Sequence, residues 1–482
     1  MDRIEKRKRL TKHTELFKSV LLGLLVFSMI ALVAVYIGGT RVYESAVAGD
    51  EAGKSFDKLW SVLGGIEPDG LDSERLFPEF IGYKLSSNPR PLGCVGDGEA
   101  AEELYGIIKP CLLELFGSSS VCRSLRGTEG KRLFDAAAKN DEFVYLRFHA
   151  PVLYQLIYAY AADRLTVSQM DVAAGTDGNV GAYIDELIII PDKNFAAHRF
   201  IAYACDGEGG YYEFRPGDHV VSSEFYISKL ADRAEKTVSE FEFSSEGVFA
   251  SLQPLIDKEL ECDVICKEPV NGDGDGIREG LLRLMGYNPD KLTGFADEAE
   301  GAYVYIDSQS RLKLGVGTVS FLTTDAYSPV GDKWRGIGVD TLLGYSIDGT
   351  PTLFDKLTAV DNLIGRLYDI SPALVGGEGQ LCLGDVYVDG AQLVVEYILT
   401  YDNIRVGSDA YLRAVLTEDA VCELLLYPVN VTVSAETSLS PRPAYVFGKL
   451  GLLQPENESL TLGRAYLKYE NGQARWEANV ES

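Results

Sequence analysis

The chain has 482 residues, 46% of them hydrophobic, and a formal net charge of -27, enough length for two or three domains with cores of their own. Residues 1–18 supply seven basic and three acidic side chains, a net +4, so the remainder carries -31. Such acidity repels nucleic acid and anionic lipid headgroups, and beyond the amino-terminal tail no basic tract is read.

The tail, MDRIEKRKRLTKHTELFK, leads into an uncharged, mostly apolar run of 21 residues, Ser19 to Gly39, the length at which a helix crosses a bilayer. Clustered Lys and Arg beside a span stay in the cytoplasm. The expected organisation is therefore a basic cytoplasmic tail (1–18), a transmembrane helix (19–39) and an extracytoplasmic bulk, the layout of a single-pass cell-membrane protein. Ala46-Val47-Ala48 has a small-x-small pattern, but the apolar run is too long, and the site too far past it, for a removed signal peptide. Within the span, Ser19 and Gly23 form a small-x-x-x-small pair and are the candidate helix–helix interface.

Next comes AGDEAGKS (48–55), which fits a relaxed phosphate-loop pattern. A phosphate loop needs a strand before it; here an apolar span precedes it, and Asp50 and Glu51 occupy the place of the phosphates. Phe56, Leu59, Trp60 and Leu63 read instead as one face of an amphipathic helix ended by Gly64-Gly65. Ser55-x-x-Lys58 lacks the Lys-Thr-Gly partner of the penicillin-recognising enzymes. Neither a nucleotide nor any other cofactor is expected.

The amino-terminal exterior domain is placed at 45–240. KRLFDAAAKN reads as a helix, EFVYLRFHAP as a strand stopped by Pro151, and VLYQLIYAYAADRL as either. IDELIIIPD is a β-rich run, and RFIAYACDGEGGYYEFRPGD reads as two strands about a Gly-rich turn. A central domain (241–345) is expected to begin with a helix, VFASLQPLIDKEL. A second helix places Ile277, Leu281, Leu284 and Met285 on one face and stops at Gly286. GAYVYIDSQSRLKLGVGTVSFLTTD then gives three short strands.

In the third domain (346–482), Thr350 is the expected N-cap and Pro351 the first helical residue. Leu353, Leu357, Val360, Ile364 and Leu367 run down one side of that helix. Strand-like segments follow, from QLCLGDVYVDG to GRAYLKYENGQARWEANV, with Asp-Gly and Asn-Gly turns. The fold class is α+β, with a helix laid across a curled antiparallel sheet twice over.

Candidate chemistry is sparse. NGDGDGIRE places Asn271, Asp273, Asp275 and Gly276 as in a calcium loop, with Glu279 nearby, but Leu282 stands where the bidentate Glu belongs; the alternative is a polar turn whose Asp275 caps the next helix. His13, His149, His198 and His219 lack a metal or nucleophile motif. The eight cysteines are too few for a disulfide-built scaffold, and the close pair Cys262 and Cys266 reads as buried thiols or one local bridge, not a zinc site. No catalytic residue is assigned, and no enzyme is expected.

The segments LLRLMGYNPDKL with GAYVYIDSQSRLKLGVGTVSFL, then LTAVDNLIGRL with GDVYVDGAQLVVEYILTYDNIRVG, and the ending AYLKYENGQARW, in that order behind a basic tail and one span, resemble the YycH/YycI family. These are membrane-anchored regulators of the WalK (YycG) sensor kinase of low-GC Gram-positive bacteria. FVYLRFHAP and IDELIIIP make the YycH branch the nearer one. The resemblance implies a non-enzymatic role in cell-wall homeostasis, with a sensor histidine kinase and a YycI-like sibling as partners in the membrane. The rival expectation is an anchored exterior module that binds wall polymer or a secreted ligand.

Overall fold

The structure is a computed structural model that describes residues 73–95, 98–117, 121–162, 182–192, 199–216, 223–233, 238–244, 252–256, 258–274, 276–323, 336–347, 349–389, 391–407, 409–453 and 461–481. The tail, the span with Ser19 and Gly23, the 48–65 segment, His198, His219 and Asp275 lie outside them. No helix among the described residues is long and apolar enough to cross a membrane.

Nine strands form the first sheet: β1 (Phe80–Lys84), β2 (Leu92–Val95), β3 (Val121–Leu125), β4 (Phe143–Leu153), β5 (Tyr183–Asp192), β6 (Arg199–Cys205), β7 (Tyr211–Arg215), β8 (Ser239–Ser244) and β9 (Gln253–Ile256). Their order is β3-β7-β6-β5-β4-β1-β2-β8-β9, and every pairing is antiparallel. Helices α1 (Gly98–Phe116) and α2 (Gly127–Ala138) cover opposite faces. Phe116 of α1 meets Phe214 at 5.0 Å and Phe134 of α2 meets Tyr211 at 6.1 Å, and residues three apart on β7 point to opposite sides. Further along come α3 (Tyr154–Ala162) and α4 (Ser223–Arg233).

The strand expected to stop at Pro151 runs on to Leu153. A register shift between Arg147 and Val152 absorbs the proline, because a bulge leaves a residue with no ladder donor to lose. The helix expected over VFASLQPLIDKEL is absent from the described part of that segment: Gln253–Ile256 is the edge strand β9, paired with β8. Its apolar residues fit a helical spacing, but Pro254 removes a backbone donor from any helix interior.

In the second half, β10 (Leu260–Pro269) pairs with a later strand, α5 (Ile277–Leu284) follows, and then β11 (Phe295–Asp297), β12 (Ala302–Ile306), β13 (Ser310–Gly315), β14 (Thr318–Thr323), β15 (Ile337–Gly338), α6 (Val339–Leu343) and α7 (Leu353–Ile370). The remaining elements are β16 (Gln380–Asp389), β17 (Gln392–Tyr401), β18 (Ile404–Arg405), β19 (Leu412–Leu416), β20 (Ala420–Leu426), β21 (Val429–Ser440), α8 (Pro443–Leu453), β22 (Thr461–Glu470) and β23 (Gln473–Glu481). Strands that the sequence divides between two helix-and-sheet modules are hydrogen-bonded into one sheet of 12, because β14 pairs with β20 from Val319↔Leu426 to Leu322↔Glu423. β10 pairs with β21 as a separate ribbon. The fold class remains α+β, and the sheets are antiparallel except where β18 pairs in parallel with β22.

Helix α7 buries Leu357, Val360, Ile364 and Leu367 as its spacing predicts, and Tyr397 donates to its Asp361 at 2.6 Å. Its cap lies two residues later than expected. Thr352 accepts from the Asp355 N–H while Asp355 accepts from the Thr352 N–H, a reciprocal capping box that Thr350 is too far upstream to make. Thr352→Ala is expected to cost about 1 kcal/mol in urea unfolding, whereas Thr350→Ala leaves the midpoint nearly unchanged; equal effects would place the cap elsewhere.

Candidate functional site: a buried charge cluster between the sheets

FVYLRFHAP and YIDELIIIP are apolar strands interrupted by charge. In β4 the interruption is Arg147 and His149, in β5 it is Asp185 and Glu186, and all four are buried. Glu79, just before β1, joins them. From the other sheet comes Arg464 on β22, which donates to Asp185 Oδ1 at 2.6 Å, to Glu79 Oε2 and to the Phe148 carbonyl. Arg147, only 1% exposed, sits 3.4 Å from Glu79 Oε2 and donates to Gln253 Oε1 at 3.2 Å. The same Gln253 oxygen accepts from the Ala465 N–H at 2.9 Å. His149 Nε2 is 2.9 Å from Asn403 Oδ1, and Asn403 donates to the Pro78 carbonyl at 2.6 Å. Asn403 reaches back because it sits in the β17–β18 turn at φ +56, a left-handed conformation that Asn tolerates.

Charge in this cluster is set by burial and by the two arginines. Burial alone would raise Glu79, but Arg147 and Arg464 outweigh it and hold its carboxyl down at about 2. Burial pushes Glu186 up to about 8, with the Asp185 charge adding to the rise. Burial likewise lowers His149 to about 4, against the pull of Glu79. At neutral pH, Glu79 is therefore ionised, Glu186 holds its proton and His149 is a neutral ring. The groups neutralise one another instead of presenting one reactive group to a cleft, which is the arrangement of a clamp.

A pH dependence follows. Glu186 has a folded value above its ordinary 4.5, so its contribution is complete below 4.5 and is lost as pH rises through 8. Glu79 and His149 act in the opposite sense, their contributions fading as pH falls through about 2 and about 4 respectively. Between about pH 6.5 and pH 9, the urea midpoint is expected to decline in the native protein and to stay flatter in Glu186→Gln. Parallel declines would remove Glu186 as the cause.

Two grooves are present among the described residues, the first reaching the clamp at Asn403. One, of about 640 Å³, is lined by Phe77, Tyr105, Asp263, Tyr401 and Asp402 among others. The other, of about 650 Å³, lies beside Arg75 and Asp361, which pair at 3.2 Å and tie the segment before β1 to α7.

The remaining sequence candidates are dispersed. Asn271 Oδ1 accepts from the Asp273 N–H at 3.1 Å, and Asp273 Oδ1 accepts from Tyr305 at 2.9 Å; both side chains serve the turn. Gly276, at φ +83, is the N-cap of α5, and Glu279 lies in its first turn. No group of three His, Cys, Asp or Glu side chains among the described residues is placed to hold a metal ion. None of the eight cysteines, all described, is in a disulfide. Cys262 is buried and Cys266 exposed, since the β10–β21 register shift between Asp263 and Ile265 breaks the strand's alternation between them.

Sequence reasoning missed the clamp because Glu79 and Arg464 stand 385 positions apart. The available signal was two acids inside YIDELIIIP and a cation inside FVYLRFHAP, each within a run that is otherwise buried.

Neither a protein-family model nor a curated protein matches the chain. Among solved structures it is similar to YycH from Bacillus subtilis, with a TM-score of 0.52 and 12% identity over 85% of this chain and 95% of that one. At that identity the likeness establishes the fold: the chain is folded like YycH.

Proposed function

We propose that this chain is a non-enzymatic, membrane-anchored extracytoplasmic regulator of a two-component sensor histidine kinase that controls cell-wall homeostasis. The observation that carries the reading is the fold shared with YycH over 85% of the chain, reached from a sequence that opens with a basic tail and an apolar run of bilayer length. The clamp in the described part pairs Arg464 with Asp185 and Glu79 in its interior.

In this reading the kinase exists in two states, and the protein shifts their balance by binding one of them better. A YycI-like sibling shares the membrane with it. The contacts run through the span and the exterior surface. Crosslinking of the full-length protein in its own membrane, followed by mass spectrometry, tests the reading: a sensor kinase and a second small anchored protein are the expected captures. Recovery of wall polymer or a secreted protein, with neither of those, would replace it. Gly23→Leu is expected to reduce kinase capture several-fold, because a large side chain holds two helices apart; undiminished capture would move the contact out of the span.

A further inference from the structure

The stretch from β3 to the end of α2 has the opposite charge to the rest of the molecule. Residues 121–139 hold Arg123, Arg126, Lys131, Arg132 and Lys139 against Glu129 and Asp135, in a chain whose net charge is -27. All five cations are exposed. None of them is in an ion pair among the described residues, in contrast to Arg215 on the neighbouring strand, which is held by Glu213 at 2.8 Å and Asp192 at 3.4 Å.

Four of the five share one side of the molecule, and Arg126 lies on the connection between β3 and α2. Lys131, Arg132 and Lys139 line a single shallow groove with Thr128, Asp135 and Ala136. Arg123 pairs in register with Glu213 and Leu125 with Tyr211, and Tyr211 is the residue on which α2 packs through Phe134 and Gly130. Residues opposite one another, or two apart on a strand, share a face. Arg123 therefore projects on the α2 side, at the free edge of the first sheet, where β3 is the outermost strand. The sequence alone suggested no basic tract beyond the tail; folding makes one, by bringing an edge strand and one helix face together.

We propose that this cationic face seats on the anionic lipid surface of the membrane that holds the chain, and so orients the exterior domain. The inference rests on the anchored reading above. Charge complementarity carries it. An anionic leaflet repels a body of this acidity on its other faces and attracts Lys and Arg held within a Debye length of the headgroups. Among the described residues this face exposes no aromatic side chain of the kind a protein partner's hot spot would engage, and Val121 is its one large exposed apolar side chain. Tethering keeps the lipid at high effective concentration, so a patch too weak to recruit a free protein suffices to fix an orientation.

The test uses the full chain reconstituted in nanodiscs of phosphatidylcholine, with and without phosphatidylglycerol. Acylation of Lys131 and Lys139 by an amine-reactive reagent is read by mass spectrometry against Lys267, an exposed lysine on β10. Phosphatidylglycerol is expected to slow acylation at Lys131 and Lys139 at least about fivefold relative to Lys267, and high salt to abolish the slowing. The double variant Arg126→Glu/Arg132→Glu is expected to lose the lipid-dependent difference, each protein being compared with itself in the two discs. Insertion with no lipid-dependent protection overturns this inference and leaves the regulator reading standing. Protection by an added glycerol-phosphate polymer in discs without phosphatidylglycerol, and not by the lipid, overturns it in favour of a wall-polymer site. A chain that fails to insert removes the anchored reading and this inference with it.

Discussion

Replacing Arg464 with methionine is expected to lower the unfolding free energy by about 3–5 kcal/mol, the range for breaking a buried ion pair from one side. Its guanidinium is the donor shared by Asp185, Glu79 and the Phe148 carbonyl. Removal leaves Arg147 as the cation 3.4 Å from Glu79 and strips Asp185 of its partner. Much of the loss is the penalty on acids left without compensation, so it shrinks when they are removed too. Arg464→Met combined with Asp185→Asn and Glu79→Gln is therefore expected to recover part of the stability. Urea unfolding of the single and triple variants decides it; a triple variant less stable than the single one would show that the cluster is held by geometry more than by charge balance.

Phe241→Ala is expected to cost about 3–5 kcal/mol, as for a large aromatic removed from a packed core. The ring is 0% exposed and meets Phe80 at 5.1 Å and Phe243 at 5.2 Å, both edge-on. Two glycines make its seat. Gly82 and Gly93 stand opposite one another on β1 and β2, and a Cβ on Gly82 would come within 2.7 Å of the Phe241 ring. Gly82→Ala alone is expected to cost about 1–3 kcal/mol through overpacking. With Phe241→Leu present its cost should fall, because the smaller side chain vacates the space the new methyl needs. Strict additivity of the two substitutions would show that they do not share the hollow.

What the sequence made legible was local. The β12–β14 meander shows as alternation broken by turn residues, and the stripe from Leu357 to Leu367 shows as a helical period; both signals lie within the segment that folds. Asn471-Gly472 likewise marks the β22–β23 turn, with φ of +51 and +82. The misreadings occur where distant partners decide. Leu252, Leu255, Ile256 and Leu260 suit a helix face, yet β8 supplies Phe241↔Ile256 and Phe243↔Pro254 and makes an edge strand of the segment. The cap is a local exception: Thr350 was expected, but Asp355, three residues past Thr352, makes Thr352 the cap through a reciprocal capping box. The clamp was illegible because only folding brings its residues together, whereas the cations of 121–139 are neighbours in sequence and folding adds only that β3 and α2 turn them to one side. Ser19 and Gly23 remain residues of the proposal, outside the described part.

Arg464, on β22, and Glu79, just before β1, stand 385 positions apart. Chain synthesis runs in the opposite order to that dependence. Until β22 emerges, the first sheet has its apolar strands and Arg147 beside Glu79, but Asp185 lacks the cation that pairs with it. A polypeptide cut before β22 is expected to hold its first sheet less stably, since a buried acid without its cation is costly. The β22–β23 hairpin is thus the part on which an interior built from much earlier strands depends for its charge balance.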